Sequence, residues 1–179
     1  MPDSTGFRRW VPWVVAVVAV AALAFVLLGR GSGPGAAAPV GALVVDSPAP
    51  GFTATTITGD EVSLSELAGE PVWLVVNATW CASCRSEAPD IQAVHETVGD
   101  TATIIAVYAG EAEATVQPFA DRLGLTYLQI PDPDRLISTA YLVPGVPVHY
   151  LIDGDGVLRH IEFGALGADR ILQLIADVS

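Results

Sequence analysis

The chain has 179 residues, of which 20 are acidic and 8 are basic, giving a net charge of −12. Its length allows one ordinary domain with a tail or an anchor, and a composition that is 51% hydrophobic excludes a disordered or fibrous protein. From residue 39 onward, five arginines face 19 acidic residues. A surface this acidic excludes nucleic acid and anionic lipid as partners.

The N-terminal region contains an apolar run of 19 residues, 10–28. As a helix it would be about 28 Å long, close to the roughly 30 Å hydrocarbon core of a bilayer. Arg8 and Arg9 precede it, so we expect a cytoplasmic N-terminus (1–9), one transmembrane signal-anchor helix (10–28) and an extracytoplasmic remainder. A cleaved signal peptide ending near Ala36–Ala38 is the alternative.

After a Gly/Ala/Pro linker (29–41), the pattern predicts one domain (42–179) in which strands alternate with helices. Such alternation is typical of an α/β fold whose mixed central sheet has helices on both faces. In chain order we expect a strand (42–46), a hairpin turning at 58–60, a buried strand (71–76), a helix (81–98), a buried strand (102–109), a helix (115–124) with Pro118 in its first turn, a strand (126–130), a helix (132–141), a hairpin (146–163) and a C-terminal helix (167–178).

Cys81 and Cys84 are the only cysteines, and they follow the first buried strand at the start of a helix. A structural zinc site needs four ligands, and the three histidines are too scattered to complete one. Covalent haem needs a histidine directly after the second cysteine, where Arg85 stands. A disulfide that only braces the fold would close too short a loop to stabilise it much.

Dithiol–disulfide exchange therefore explains this pair best. Free N–H groups and the helix dipole at a helix N-terminus stabilise a thiolate there. We predict that Cys81 is the exposed nucleophile and that Cys84, one turn later, is the thiol that resolves the mixed disulfide.

Three stretches carry a resemblance to a known family: "WCASCRSEAP", "APGFTATTITGDEVSLSEL" and "GVPVHYLIDGDG". Together they resemble the exported TlpA/ResA/CcmG-like branch of the thioredoxin superfamily, from about residue 46 to residue 178. The resemblance implies a thioredoxin-like fold with an N-terminal β-hairpin. It also implies a thiol–disulfide oxidoreductase that works through a redox-active CxxC disulfide, with no cofactor and no metal.

The resemblance also implies roles for four further residues. Pro147 matches a cis-proline that faces the dithiol and leaves the backbone of Val146 to pair with an incoming peptide, and Trp80 would cover the active-site surface. Glu87 would be partly buried near the dithiol and would carry a proton to and from Cys84. The alternative for Glu87 is a solvent-facing glutamate in a first helical turn.

These features together predict a membrane-tethered extracytoplasmic enzyme that reduces disulfides of exported proteins, such as apocytochrome c, with electrons from a membrane thiol donor. Ala82 and Ser83 replace the frequent proline-containing pair, and no histidine stands between the cysteines as in strongly oxidising relatives, which favours a reductant. Oxidative or isomerising exchange is the alternative. Less favoured are peroxide reduction, for which Ala78 replaces the expected threonine, and copper carriage through the cysteines and His149, which we expect to be a packed side chain.

Overall fold

The structure is a computed structural model, and it describes residues 43–178 of the chain. The described residues belong to one compact unit. The predicted cytoplasmic segment, the apolar run at 10–28 and the linker at 29–41 lie outside them. Within residues 43–178, no helix is long and apolar enough to cross a membrane.

The described chain folds into eight strands and four α-helices. The strands are β1 (Ser47–Pro48), β2 (Thr53–Thr55), β3 (Glu61–Ser63), β4 (Val72–Asn77), β5 (Thr103–Ala109), β6 (Leu128–Asp132), β7 (Val148–Ile152) and β8 (Val157–Phe163). The helices are α1 (Ala82–Val98), α2 (Glu113–Leu123), α3 (Leu136–Ala140) and α4 (Ala168–Ala176), with 3₁₀ turns at Leu64–Leu67 and Gly99–Thr101.

Six strands form one mixed sheet in the order β1-β8-β7-β4-β5-β6, and β2 and β3 form a separate hairpin. The three strands β4, β5 and β6 are parallel, whereas β7, β8 and β1 pair in antiparallel fashion. All six residues of β4 are buried. Its continuous apolar sequence reflects this central position, since both faces of the strand are covered.

Helices cover both faces of the sheet, as predicted. Alternate residues of β4 point to opposite faces: Trp73 and Val75 join the core under α1, α2 and α4, whereas Leu74 and Val76 join the core under α3 and the β2–β3 hairpin. The predicted α/β fold with a mixed sheet, helices on both faces and an N-terminal hairpin is therefore confirmed.

Some predicted elements differ from the structure, and the helix predicted at 132–141 is shorter, Leu136–Ala140. The strand predicted at 42–46 is wrong for the described residues 43–46, because Asp46 turns the chain with a positive φ of 65° and pairing with β8 begins only at Ser47. Helix α2 begins at Glu113, so Pro118 lies in its second turn instead of its first. Proline there removes one helical hydrogen bond, while Val116 and Phe119 remain packed in the core.

The register of the sheet determines where the functional residues meet. Val76 in β4 pairs with Val148 in β7, and Val75 pairs with His149. The loop that leaves β4 and the loop that enters β7 therefore lie side by side, at the same end of these two central strands. The first of these loops leads to Cys81 and the second contains Pro147.

Candidate active site

The two cysteines lie at the N-terminus of α1, and they form a disulfide with their Cα atoms 5.3 Å apart. Cys81 is the N-cap residue with extended backbone angles, and its Sγ accepts a hydrogen bond from the backbone N–H of Cys84 at 3.2 Å. This N–H is one of the helix donors that lack an intrahelical partner. It would stabilise a thiolate on Cys81 in the reduced protein, and the helix dipole acts in the same direction.

Both cysteines are buried in the disulfide form. Cys81 is 6% exposed and Cys84 is 3% exposed, so the prediction of a well-exposed Cys81 is wrong here. The physical reason is that both sulfur-bearing residues pack against Ala78 and Val146. The Oγ of Ser83 lies 3.2 Å from Cys81 Sγ and gives that sulfur a second polar neighbour.

The loop before β7 faces the disulfide through its backbone. The Val146–Pro147 peptide bond is cis, as predicted. The carbonyl oxygen of Val146 lies 3.8 Å from Cys81 Sγ. The carbonyl of Pro147 accepts a hydrogen bond from Gly164 N at 3.0 Å, which ties the loop to the end of β8. A peptide that reaches Cys81 would therefore pass the backbone of Val146.

Trp80 precedes Cys81 and is 68% exposed. Its indole projects from the surface beside a buried disulfide, and single exposed aromatics of this size are typical anchors for a protein partner. The guanidinium of Arg85 donates to the carbonyl of Trp80 at 3.2 Å, so the backbone of the loop is held from α1. The predicted role of Trp80 at the active-site surface stays a prediction.

Glu87 lies in α1 one turn after Cys84, and it is only 2% exposed. The solvent-facing alternative is therefore wrong, and burial is more complete than the predicted partial burial. Its Oε1 accepts a hydrogen bond from Leu166 N at 2.7 Å and lies 3.1 Å from Nε2 of His149. His149 is fully buried, as a packed histidine should be, but its contact with Glu87 was not predicted. The alternation of side chains along β7 could have indicated this contact, because it places residue 149 on the face of the sheet that α1 covers.

A second buried carboxylate contacts the loop between β4 and Cys81. Glu111 follows β5, and its two oxygens accept hydrogen bonds from the backbone N and the Oγ1 of Thr79. Glu111 was not among the predicted site residues. An acid just after a buried strand that is parallel to β4 was the available signal, because neighbouring parallel strands end at the same edge of a sheet.

The described residues show no arrangement typical of a metal site. Within residues 43–178, no group of three or more His, Cys, Asp or Glu side chains could hold one. Nε2 of His149 is occupied by Glu87 and by the carbonyl of Gly164, each at 3.1 Å. This nitrogen is therefore engaged in contacts with the protein, which disfavours it as a ligand in the copper-carrier alternative, where a histidine such as His149 would join the cysteines.

The comparisons with known proteins agree with this geometry. Residues 45–161 match the AhpC/TSA family. The chain belongs to the AhpC/TSA family. Thiol-disulfide oxidoreductase ResA from Geobacillus kaustophilus is 34% identical over 133 residues, which cover 73% of this chain and 75% of that protein.

Solved structures of related proteins share the fold. A thiol:disulfide interchange protein of the thioredoxin family from Chlorobium tepidum superposes with a TM-score of 0.69 and 25% identity, covering 76% of this chain and 99% of that one. A secreted Mycobacterium tuberculosis disulfide oxidoreductase, homologous to Escherichia coli DsbE, superposes with a TM-score of 0.64 and 26% identity over 70% of this chain and 95% of that one. This member of the AhpC/TSA family is therefore a thiol–disulfide oxidoreductase of the ResA/DsbE type with Cys81 and Cys84 as its cysteine pair.

Proposed function

We propose that the protein is anchored in the cell membrane by residues 10–28, faces the extracytoplasmic side, and reduces disulfides in exported proteins, with apocytochrome c as one client class. The disulfide at the N-terminus of α1, opposite the backbone of Val146, carries this proposal. The arginines before the apolar run favour the orientation. The related disulfide oxidoreductase from Mycobacterium tuberculosis is a secreted protein, which supports an exported domain.

The reaction has two exchange steps. The Cys81 thiolate attacks one sulfur of the client disulfide, and the other client sulfur leaves as a thiolate that takes a proton from water. Cys84 then loses its proton to Glu87 and attacks Cys81 Sγ. This forms the Cys81–Cys84 bond and releases the client sulfur that was bonded to Cys81. The client thereby gains two electrons and the enzyme becomes oxidised. A membrane thiol donor would reduce the enzyme again.

Each partner atom in the site has a role in these steps. The N–H of Cys84 and the hydroxyl of Ser83, both 3.2 Å from Cys81 Sγ, stabilise the Cys81 thiolate. Val146 pairs with the client backbone beside Pro147, and Trp80 contacts the client surface. Glu87, buried one turn after Cys84, is the nearest candidate on that helix to take the proton of the resolving thiol.

The reduction potential of the full-length chain tests the direction of transfer. The chain would be equilibrated in detergent with glutathione or dithiothreitol buffers, and the oxidised fraction measured by alkylation and mass shift. We expect a potential clearly below the roughly −180 mV of protein disulfide isomerase. A potential near the roughly −120 mV of DsbA would overturn the reductant proposal and favour oxidative exchange.

Client class and location need separate experiments. A peptide with a CxxCH disulfide should be reduced faster than glutathione disulfide, and turnover of hydrogen peroxide with no turnover of the peptide would overturn the proposed activity. Alkaline phosphatase fused after residue 179 should be active, because that reporter needs disulfides that form only outside the cytoplasm. An inactive fusion that is nevertheless expressed would overturn the proposed orientation.

A further inference from the structure

The contact between Glu87 and His149 joins two titratable side chains in the core of the protein. Glu87 is 2% exposed and His149 is 0% exposed, and 3.1 Å separates Oε1 from Nε2. Two such groups are costly to bury unless each is hydrogen-bonded. Glu87 lies one turn beyond Cys84 on α1, and His149 follows Pro147 by two residues, so the pair belongs to the same two segments as the dithiol and the cis-proline.

The neighbours of His149 determine which ring nitrogen carries the proton. Nε2 lies 3.1 Å from the carbonyl oxygen of Gly164, and a carbonyl can only accept a hydrogen bond. Nε2 is therefore the N–H nitrogen, and it donates toward both Gly164 O and Glu87 Oε1. Nδ1 is buried without a hydrogen-bond partner among residues 43–178. A second N–H at Nδ1 would be an unpaired buried donor, so the neutral ring with its hydrogen on Nε2 fits best.

The two oxygens of Glu87 are correspondingly unequal. Oε1 faces two N–H donors, Leu166 N at 2.7 Å and His149 Nε2 at 3.1 Å. Oε2 is buried and has no hydrogen-bond partner among residues 43–178. An oxygen that already accepts two N–H bonds is a poor place for a further hydrogen. A proton taken up by this carboxylate therefore goes to Oε2.

We propose that His149 is a positioning residue for Glu87: together with Leu166 N it fixes Oε1, so that Oε2 is the atom that exchanges a proton with Cys84. This proposal rests on the proposed role of Glu87 in the thiol exchange. In the resolving step the S–H bond of Cys84 breaks and an O–H bond forms at Oε2. The Cys84 electron pair then forms the bond to Cys81 Sγ while the client thiolate leaves.

Side chains from other elements also border Glu87 and His149. On the β4 side the ring of Trp73 lies against His149, with centroids 5.4 Å apart. On β8 the cross-strand neighbour of His149 is Glu162, whose carboxylate is paired with Arg170 of α4 at 3.1 Å. Tyr127 is another titratable group that Glu87 influences: burial first, and the negative charge of Glu87 to a lesser degree, raise the pKa of its phenol.

The test measures the resolving step alone. Cys81 in the reduced full-length chain is converted to its mixed disulfide with thionitrobenzoate, and release of the coloured thiolate by Cys84 is followed across pH. His149→Leu removes the N–H donor, so the carboxylate is less stabilised and the midpoint of the pH profile should move to higher pH. We expect release at neutral pH to slow about tenfold. His149→Gln keeps an N–H donor and should restore most of the rate, and His160→Leu on β8 should match the wild type.

Glu87→Gln separates the two levels of the proposal. If Glu87→Gln and His149→Leu each alter the profile and the double variant is no slower than Glu87→Gln, His149 acts through Glu87 as proposed. An altered profile in Glu87→Gln with an unchanged one in folded His149→Leu overturns only the role of His149. An unchanged profile in Glu87→Gln overturns the acid–base role itself, and with it the present inference.

A measurement on the unaltered chain avoids any loss of folding in the variants. The ¹⁵N shifts of the imidazole of His149 distinguish the two neutral tautomers and the cation. We expect hydrogen on Nε2 and none on Nδ1 at pH 7. Hydrogen on Nδ1, in either the other tautomer or the cation, would contradict the assignment and overturn the proposal.

Discussion

Glu111 holds the loop that leads into the active site through two hydrogen bonds to one residue, Thr79. Its Oε2 accepts from Thr79 N at 2.8 Å, and its Oε1 accepts from Thr79 Oγ1 at 2.6 Å. The contact connects the end of β5 to the chain two residues before Cys81, and Glu111 is 9% exposed. The loop at the dithiol is thereby fixed to the central sheet independently of the disulfide.

We predict that Glu111→Ala lowers the free energy of unfolding by about 1–3 kcal/mol, because a charge-assisted pair of hydrogen bonds is lost and the N–H of Thr79 is left without its acceptor. Alkylation of Cys81 in the reduced protein should also become faster as the loop loosens. Urea unfolding and the alkylation rate at fixed pH measure these two effects.

Thr79→Val and Glu113→Ala are the matched controls for this prediction. Thr79→Val removes only the Oγ1 hydrogen bond and should show part of the effect, with little added in the double variant. Glu113 is an exposed acid two residues away in the first turn of α2, so its removal should cost only about 0.3–1 kcal/mol through the helix dipole and should leave the alkylation rate unchanged. Equal effects of Glu111→Ala and Glu113→Ala would show that only net charge matters.

The sequence predicted the chemistry of the site better than its geometry. The spacing of Cys81 and Cys84, the apolar strand before them and the "GVP" motif each depend on local sequence, and the structure confirms the disulfide and the cis peptide at Pro147. Glu111 and His149 reach the site from β5 and β7. Which residues of separate strands face each other depends on sheet register, which a single sequence specifies only indirectly.

The bounds of the helices and strands show the same contrast. Bounds that depend on local sequence were predicted well, and bounds that depend on tertiary contacts were not. The helix α1 agrees with the predicted 81–98 to within one residue, and β8 ends at Phe163, where the predicted hairpin ends, since periodicity and capping signals define them. The strand predicted at 126–130 instead runs from Leu128 to Asp132, because it pairs with Ile105–Ala109 of β5. Asp132 ends it by accepting hydrogen bonds from Ile137 and Ser138 of α3, a tertiary role that the sequence pattern did not indicate.

A second prediction concerns acid stability at the β7–β8 turn. Partial burial opposes ionisation of Asp153, but hydrogen bonds from Val157 N and Arg159 together with the charge of Arg159 outweigh it and lower the pKa of this carboxyl group. The Nε of Arg159 lies 2.6 Å from Asp153 Oδ2. A lowered pKa in the folded state means that the unfolded chain takes up the proton first as the pH falls.

The stabilisation from Asp153 is therefore present above its ordinary pKa of 3.8 and is lost as the pH falls through the lowered value. Asp153→Asn should melt about 2–4 °C below the wild type at pH 7. The gap should close in the most acidic buffers that keep the protein folded. Asp155→Asn, an exposed change in the same turn, is the control, and a gap independent of pH would contradict this account.

Alkaline stability provides a third prediction, because four tyrosines are buried. Burial raises the pKa of Tyr150 to about 12 and raises the pKa of Tyr108, Tyr127 and Tyr141 further. The phenol of Tyr150 donates to Tyr141 O at 2.8 Å. Raised values in the folded state mean that the unfolded chain loses these protons first, so stability is complete below the ordinary pKa of 10.0 and falls as the pH rises above it.

We expect the melting temperature to fall steeply above pH 10, with absorbance at 295 nm showing tyrosine ionisation only as the protein unfolds. Tyr150→Phe should reduce the steepness by removing one ionising group, although it also leaves the carbonyl of Tyr141 without its donor. Phenol ionisation that precedes loss of structure by circular dichroism would mean that these side chains are accessible in the folded state.

The last prediction concerns Trp80, which is 68% exposed beside a disulfide whose cysteines are almost fully covered. Its indole contributes little to the core, so we expect it to contact a protein client. Trp80→Ala should leave the reduction potential and the free energy of unfolding unchanged. It should lower kcat/KM for a protein disulfide about tenfold or more, since tryptophan is a typical binding hot spot, while a small disulfide such as glutathione disulfide is reduced at the normal rate.

Leu123→Ala, an exposed apolar change at the end of α2, should affect neither substrate. An equal loss with both substrates would instead assign Trp80 to the reactivity of Cys81.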